Sequence, residues 1–333
     1  MKYSIIVPVY NRPNEVNELL KSLATQTKQN FEVVLVEDGS TLPCQTICEA
    51  YKDQLEVHYF VKPNSGRSLT RNYGMERAQG DYFLFFDSDV IVPADYIQKI
   101  NRYLEDTQAD CFGGPDKAHH SFSILQKAIS YSMTSFFTTG GIRGSKKSLE
   151  KFVPRTFNMG FSRKVYAKVG GFKDMFGEDI DLSTRISEAG FCVKLFPTAY
   201  VYHKRRVSLR AFYHQVYVFG MARVDLYQLH PESLKIVHLL PAAFVLGTLF
   251  LILLAYFVSP YALWPLAFYA LALFLESLFL FHNPLVSFLA IATSALQLGG
   301  YGIGFLSAFC RKIIFKQSIN IDEALKKHYK KKA

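Results

Sequence analysis

Asp87 and Asp89 stand one residue apart at the close of a short apolar run, Tyr82 to Phe86. In an extended chain alternate side chains share a face, so these two carboxylates point the same way and Ser88 points away. Two carboxylates in one cleft repel each other unless a cation lies between them. Oxygen donors of this kind suit Mg²⁺ or Mn²⁺ bound together with substrate phosphates. A solvated Asp-Ser-Asp turn is the simpler alternative. The wholly apolar run before it favours the paired site, because charge set against such a strand needs a partner.

The elements that must position this pair follow from hydrophobic periodicity. Ile5 to Val9, Phe31 to Val36, Val57 to Val61 and Tyr82 to Phe86 are short runs rich in β-branched and aromatic residues. Between them lie stretches of helical period, such as Asn14 to Ala24, which puts Val16, Leu19, Leu20 and Leu23 on one face. Strands alternating with helices of this length predict a doubly wound α/β layer. Ligands of such sheets bind beyond the carboxyl ends of the strands. Those ends carry Tyr10-Asn11-Arg12, Glu37-Asp38-Gly39 and Asp87-Ser88-Asp89, three polar clusters that converge on one edge.

Half of the 333 residues are apolar and a fifth are charged, which excludes a disordered chain. The apolar residues are unevenly spread, and from Ile236 to Phe309 the sole formal charge is Glu276. Ile236 to Val258, Tyr261 to Phe281 and Leu285 to Phe309 each approach the roughly 20 residues that span a bilayer. The third carries Thr293, Ser294, Gln297 and four glycines from Gly299 to Gly304, and is expected either to span or to be re-entrant. Two crossings are favoured, because three would put the basic tail opposite the soluble part, against the positive-inside tendency. Glu276 is costly in such a stretch and is expected to face a partner or a lipid head group. The domains expected are 1–230 for catalysis, 231–312 for the membrane and 313–333 as a basic tail.

The net charge of +10 gathers beside the apolar block, in Lys204, Arg205, Arg206 and Arg210 before it and Arg311, Lys312 and Lys316 after it. Lys326, Lys327, Lys330, Lys331 and Lys332 extend the series. That placement attracts anionic membrane lipid. No basic motif interleaved with aromatics is present to bind nucleic acid. Cys44, Cys48, Cys111, Cys192 and Cys310 are scattered and odd in number, as expected of reduced, buried thiols. Met1-Lys2-Tyr3 leads directly into the first strand without a signal peptide, so the soluble part is expected in the cytoplasm.

Several further motifs keep order with the aspartate pair. They are Ser4-Ile5-Ile6-Val7-Pro8-Val9-Tyr10-Asn11, Val36-Glu37-Asp38-Gly39-Ser40, Asn64-Ser65-Gly66, Thr70-Arg71-Asn72-Tyr73-Gly74 and Ala78-Gln79-Gly80-Asp81. Together they resemble the nucleotide-binding half of the family 2 glycosyltransferases. The resemblance implies a GT-A type doubly wound mixed sheet: a Rossmann-like nucleotide-binding half, an acceptor half, and then transmembrane helices. It implies that Pro8, Tyr10 and Asp38 help bind the base, with uridine the commonest choice. Arg71 is then expected near the nucleotide, Asp87 at the ribose and diphosphate, and Asp89 on a divalent metal, Mn²⁺ or Mg²⁺. Glu37 departs from the family's more usual aspartate.

Further along, Phe157-Asn158-Met159-Gly160-Phe161-Ser162-Arg163 and Val169-Gly170-Gly171-Phe172 resemble the segment shaping the sugar pocket. Gly177-Glu178-Asp179-Ile180-Asp181-Leu182 opens a helix with Arg185 on its next turn. The resemblance makes Asp179 the general base and places Gly160, Glu178, Asp181 and Arg185 around the acceptor and sugar. Acids in a first helical turn also simply complement the helix dipole. Related enzymes place a histidine near His203 as a further metal ligand; a surface histidine ahead of a helix is the alternative.

The implied activity is inverting transfer of a sugar from a nucleotide-diphosphate donor to a lipid-linked or surface-glycan acceptor at the cytoplasmic membrane face. A silent nucleotide-sugar sensor, a polysaccharide synthase subunit and a small transporter subunit are the competing classes. Processive synthases carry Gln-X-X-Arg-Trp, whereas Gln215-Val216-Tyr217-Val218-Phe219 lacks both the Arg and the Trp.

Overall fold

The structure, a computed structural model, describes residues 1–141 and 152–316. The tail lysines from Lys326 onward lie outside the described residues. In chain order the elements begin with β1 (Tyr3–Val9), α1 (Pro13–Ala24), β2 (Phe31–Asp38), α2 (Gln45–Ala50), β3 (Val57–Lys62) and α3 (Arg67–Arg77). β4 (Tyr82–Phe85), β5 (Val90–Ile91), α4 (Tyr96–Thr107), β6 (Cys111–Gly113), β7 (Asp116–Lys117), α5 (Ile124–Thr134) and α6 (Phe136–Thr139) follow. Then come β8 (Met159–Ser162), α7 (Arg163–Val169), α8 (Glu178–Glu188), β9 (Val193–Leu195) and β10 (Val201–His203). The chain closes with α9 (Leu209–Leu229), α10 (Ile236–Phe257), α11 (Trp264–Phe281) and α12 (Pro284–Phe309).

Two compact units divide the described residues, 1–119 with 152–204 and 120–141 with 205–316. The sequence places the boundary near residue 230; in the structure α9 belongs with the second unit because it packs along α12 at close range.

In the first unit a seven-stranded sheet runs in the order β3-β2-β1-β4-β8-β6-β9. β3, β2, β1 and β4 are parallel, and β8 runs antiparallel to β4 and β6, so the sheet is mixed. The central strands β1, β2 and β4 are near-continuously apolar and buried on both faces, as central parallel strands require, while the edge strand β3 is partly exposed. Tyr3, Ile5, Val7 and Val9 pack with Leu19, Leu20, Ile97 and Ile100 on one face. Ile6, Val34 and Val36 pack with Met75, Val165, Leu182 and Ile186 on the other. The helix α3 lies close to β1 at Gly74, where a Cβ would stand 2.7 Å from Ile6 Cγ2. Cys44 and Cys48 are buried free thiols, and burial, with the Glu37 charge next, pushes both up to about 12.

A second small sheet, β5-β10-β7, stands beyond the end of β4. Its antiparallel pairing sets His203 against Val90 and Tyr202 against Ile91. The aspartate pair therefore sits in a turn between β4 and β5, not within an extended strand.

The second unit holds three helices long and apolar enough to cross a membrane, covering 22, 22 and 31 residues. Twenty-two residues at 1.5 Å rise reach about 33 Å, against a hydrocarbon core of about 30 Å. The third apolar stretch folds as one uninterrupted helix rather than a re-entrant hairpin. Gly300, Gly302 and Gly304 are contacts: a Cβ on Gly304 would lie 2.1 Å from Tyr217 O, and one on Gly302 would lie 2.3 Å from Pro241 O. On α9, a Cβ on Gly220 would lie 2.1 Å from Tyr301 O. Small residues let helix backbones approach where apolar burial between helices contributes little. Gly304→Leu is expected to destabilise this unit by about 1–3 kcal/mol through overpacking, read as a lower melting temperature in detergent.

Glu276 has its partners within the unit. Tyr131 OH donates to its Oε2 at 2.5 Å and Ser135 Oγ at 2.6 Å, both from the α5–α6 segment. Thr293 Oγ1 donates to Ala128 O at 3.0 Å, tying α5 to α12 as well.

Candidate active site

The three parallel strands β2, β1 and β4 end at the same edge, and their polar termini form one side of the site. Near the end of β1 Pro8 is half-buried, and just past it Tyr10 is 53% exposed. Asn11 takes a left-handed backbone, φ 53°, and its Oδ1 accepts the N–H groups of Thr41 and Leu42 at 2.8 and 2.9 Å. Glu37 is buried and accepts from Cys44 N–H and Tyr59 OH, each at 3.0 Å, and from the Ser40 hydroxyl. The extra methylene of glutamate over the family's aspartate lengthens its reach, and Glu37 here braces the 40–44 loop.

Asp38, at the end of β2, is engaged on both oxygens. Oδ1 pairs with Lys62 Nζ and accepts Ser65 N–H at 2.9 Å, and Oδ2 accepts Gly66 N–H at 2.9 Å. Gly66 has φ 90°, a conformation open to glycine that strains other residues. Asp38 thus shapes the turn that leads into α3.

Beyond β4, Asp87, Asp89 and His203 converge, with one ligand atom from each within 4.8 Å of the others. His203 Nε2 lies 3.2 Å from Asp89 Oδ1 and 4.0 Å from Asp87 Oδ2. The β5–β10 pairing makes this happen, and Lys204 N–H to Asp89 O at 3.0 Å continues it. Phe157 stacks on the imidazole with centroids 5.0 Å apart and holds its plane. Adjacent ligands of an octahedral ion with bonds of about 2.1 Å stand roughly 3 Å apart, so this donor set fits a small divalent cation after slight contraction.

Arg71, on the inward face of α3, connects that cluster to α8. It is 2% exposed, and its guanidinium donates to Asp87 Oδ1 at 2.7 Å and to Glu178 Oε1 at 3.0 Å. Arg67, one turn earlier, grips Glu178 at both oxygens, at 2.7 and 2.8 Å. Burial would push the Glu178 carboxyl up, but the Arg67 and Arg71 guanidiniums overcome it and hold the group below its usual range. Arg67 in turn is raised by Glu178.

Asp179 follows at the second position of α8, with its side chain 18% exposed. Its Oδ1 accepts Ile180 N–H at 2.9 Å and lies 3.8 Å from Arg155 Nη1. Asp181 is fully buried between Lys173 at 3.0 Å and Arg185 at 2.8 Å. Arg185 also donates to Val169 O and Gly171 O, at 2.9 and 2.8 Å, so this pair fixes the 169–173 loop. Gly160 lies within β8, where a Cβ would stand 2.4 Å from Phe112 Cζ and 2.8 Å from Leu84 Cδ2. It packs the sheet.

The structure therefore brings together Asp87, Asp89 and His203, and links Asp87 through Arg71 to Glu178 beside Asp179. Sequence reasoning missed Arg67 and Lys62, and it gave Arg12 a place at a strand end but no role; Arg12 Nη1 lies 3.9 Å from Asp89 Oδ2. Arg67 could have been found from its spacing, since it shares a helical face with Arg71 at i, i+4.

Residues 4–170 match Glycosyl transferase family 2, and the chain belongs to that family. It is 37% identical over 110 residues to glycosyltransferase GlyA of Streptococcus pneumoniae, covering 33% of this chain and 16% of that protein. Over 131 residues it is 39% identical to the poly(ribitol-phosphate) beta-N-acetylglucosaminyltransferase TarS of Staphylococcus aureus, covering 38% of this chain and 21% of TarS. The matched stretch thus spans about a fifth or less of these relatives' own length. Among solved structures, the mannosyltransferase PcManGT of Pyrobaculum calidifontis, in complex with GDP-Man and Mn²⁺, superposes with a TM-score of 0.62 at 18% identity. That likeness covers 90% of this chain and 87% of PcManGT, and it establishes the GT-A type fold.

Proposed function

We propose that this protein transfers a sugar, with inversion, from a nucleotide-diphosphate donor to an acceptor held at a membrane. The convergence of Asp87, Asp89 and His203 at the sheet's ligand-binding edge is the observation that carries this reading. A divalent cation at these three side chains, Mn²⁺ or Mg²⁺, would neutralise charge growing on the leaving nucleoside diphosphate. Pro8, Tyr10 and the turn fixed by Asp38 would form the base site, for uridine in the first instance. TarS, a matched relative, is named for transfer of N-acetylglucosamine, which makes UDP-linked amino sugars the first donors to try.

Asp179 takes the proton of the acceptor hydroxyl as that oxygen attacks the anomeric carbon. The bond from that carbon to the diphosphate oxygen breaks on the opposite face, and inversion follows. Proton removal by a positioned carboxylate contributes roughly 10²–10⁴-fold. Arg71 and Glu178 hold the donor edge and the base-bearing helix in fixed relation. The acceptor is read as a lipid-linked or surface-glycan precursor because the same chain carries three helices of spanning length. The run Lys204, Arg205, Arg206 and Arg210 ahead of the first of them favours the cytoplasmic face.

The test is a panel of UDP- and GDP-sugars offered to the full-length protein with and without Mn²⁺, scored for transfer or hydrolysis. The reading expects turnover of at least one UDP-sugar that EDTA abolishes. Folded protein that turns over no donor under either condition contradicts it.

A further inference from the structure

Asp87 does not face the cation site alone. Its Oδ1 accepts from Arg71 Nη2 at 2.7 Å while its Oδ2 is turned towards His203. The other end of that guanidinium, Nη1, is drawn to Glu178 at 3.0 Å, and Glu178 is itself gripped twice by Arg67. Arg71 and Glu178 are each 2% exposed, and Phe172 lies 5.6 Å under the guanidinium carbon. Water screens little between those two, so Arg71 and Glu178 act strongly on each other, while the Asp87 and Arg67 side chains at either end are 34% and 50% exposed.

One guanidinium shared between two carboxylates divides its bonding. What Glu178 draws from Arg71 is not given to Asp87, and a carboxylate less tightly held by arginine is a better ligand for a divalent ion. Glu178 is also the first residue of α8 and the peptide neighbour of Asp179. We propose that Glu178 is a positioning residue that draws Arg71 off Asp87, thereby setting cation affinity at Asp87, Asp89 and His203, and ties the base-bearing end of α8 to that cluster. This rests on the cation reading given under Proposed function.

The sharing fixes the sign of each change. Glu178→Gln leaves Arg71 with Asp87 as its charged partner among the described residues, so the cation competes less well. Arg67→Gln leaves Glu178 to Arg71 alone, which releases Asp87, so the cation competes better. A plain field effect of the two charges would have the same signs, but it would not depend on reach or on Arg71. Glu178→Asp keeps the charge and shortens the reach by one methylene, which separates the two explanations.

Mn²⁺ titrated into the detergent-solubilised full chain without nucleotide, followed by calorimetry or by the electron spin resonance of free Mn²⁺, reads the effect directly. Coupling between sites typically spans about 5–150-fold, and Glu178→Gln is expected to weaken Mn²⁺ by roughly tenfold. Glu178→Asp weakens it by a similar factor, and Arg67→Gln tightens it a few-fold, on the order of a close-neighbour coupling. In an Arg71→Gln background, Glu178→Gln changes Mn²⁺ affinity by less than about twofold. Unchanged affinity in Glu178→Gln, wild-type affinity in Glu178→Asp, or weakening in Arg67→Gln overturns the coupling while leaving the cation site standing. Wild-type protein that binds no Mn²⁺ overturns both.

Discussion

Asp89→Ala is expected to abolish metal-dependent turnover while leaving the fold intact. The residue sits in a turn outside the main sheet, and its carboxylate meets His203 Nε2 at 3.2 Å with Arg12 at 3.9 Å. Removing it takes away one of three converging donors, so the cation loses an anionic ligand and a fixed geometry together. Loss of an outer hydrogen-bond partner of a metal ligand already costs about 10–100-fold, and loss of a direct ligand is expected to exceed about 100-fold. Steady-state turnover against Mn²⁺ concentration checks this. Excess Mn²⁺ restores little if the ligand set is right, whereas full recovery at high Mn²⁺ would mean Asp89 only tunes affinity. An unchanged melting temperature shows that the loss lies in chemistry rather than in folding.

Asp179→Asn is expected to lower kcat by roughly 10²–10⁴-fold and to leave donor binding nearly as it was. Asparagine preserves the shape and can still accept Ile180 N–H, but it cannot take the acceptor's proton. The split between kcat and donor affinity is the informative part. A base acts late, on the acceptor oxygen, so nucleotide binding should not register its loss. If donor affinity falls as far as kcat, Asp179 belongs to the donor site and the base lies elsewhere. Glu178, its neighbour, is buried and held by two arginines, whereas Asp179 keeps an exposed edge from which to reach a substrate.

Much of the nucleotide-binding half was legible because parallel strands write themselves as short, doubly buried apolar runs. Ile5 to Val9, Phe31 to Val36 and Tyr82 to Phe86 each appear in the sheet, and their polar ends meet where the topology predicts. The cation cluster was less legible. His203 comes from a strand of three residues whose partner, β5, has two, and so brief a pairing leaves no periodic trace. Its placement depends on contacts between segments far apart in sequence. The Arg71–Glu178 bridge joins residues 107 positions apart, and nothing local to either names the other.

The second unit reverses the usual reading of composition. Glycines and hydroxyls from Thr293 to Gly304 look like a weak membrane stretch when hydropathy is summed along the chain. In the structure Gly302 and Gly304 face backbone carbonyls of α10 and α9, and Thr293 bonds to α5. Hydropathy measures what lipid would accept; these positions meet protein. Glu276 in so apolar a stretch calls for a partner, and the α5–α6 segment supplies two hydroxyls, from Tyr131 and Ser135. That the partner lies between two strands of the first unit in chain order is a matter of topology, which no local pattern records.

UDP binding by the full-length wild-type protein, measured by calorimetry in Mn²⁺ and again in EDTA, tests most directly whether Asp87, Asp89 and His203 hold a cation for a nucleotide diphosphate. Binding in Mn²⁺ that falls by at least about 100-fold in EDTA is the predicted result. Equal affinity in the two solutions would contradict it.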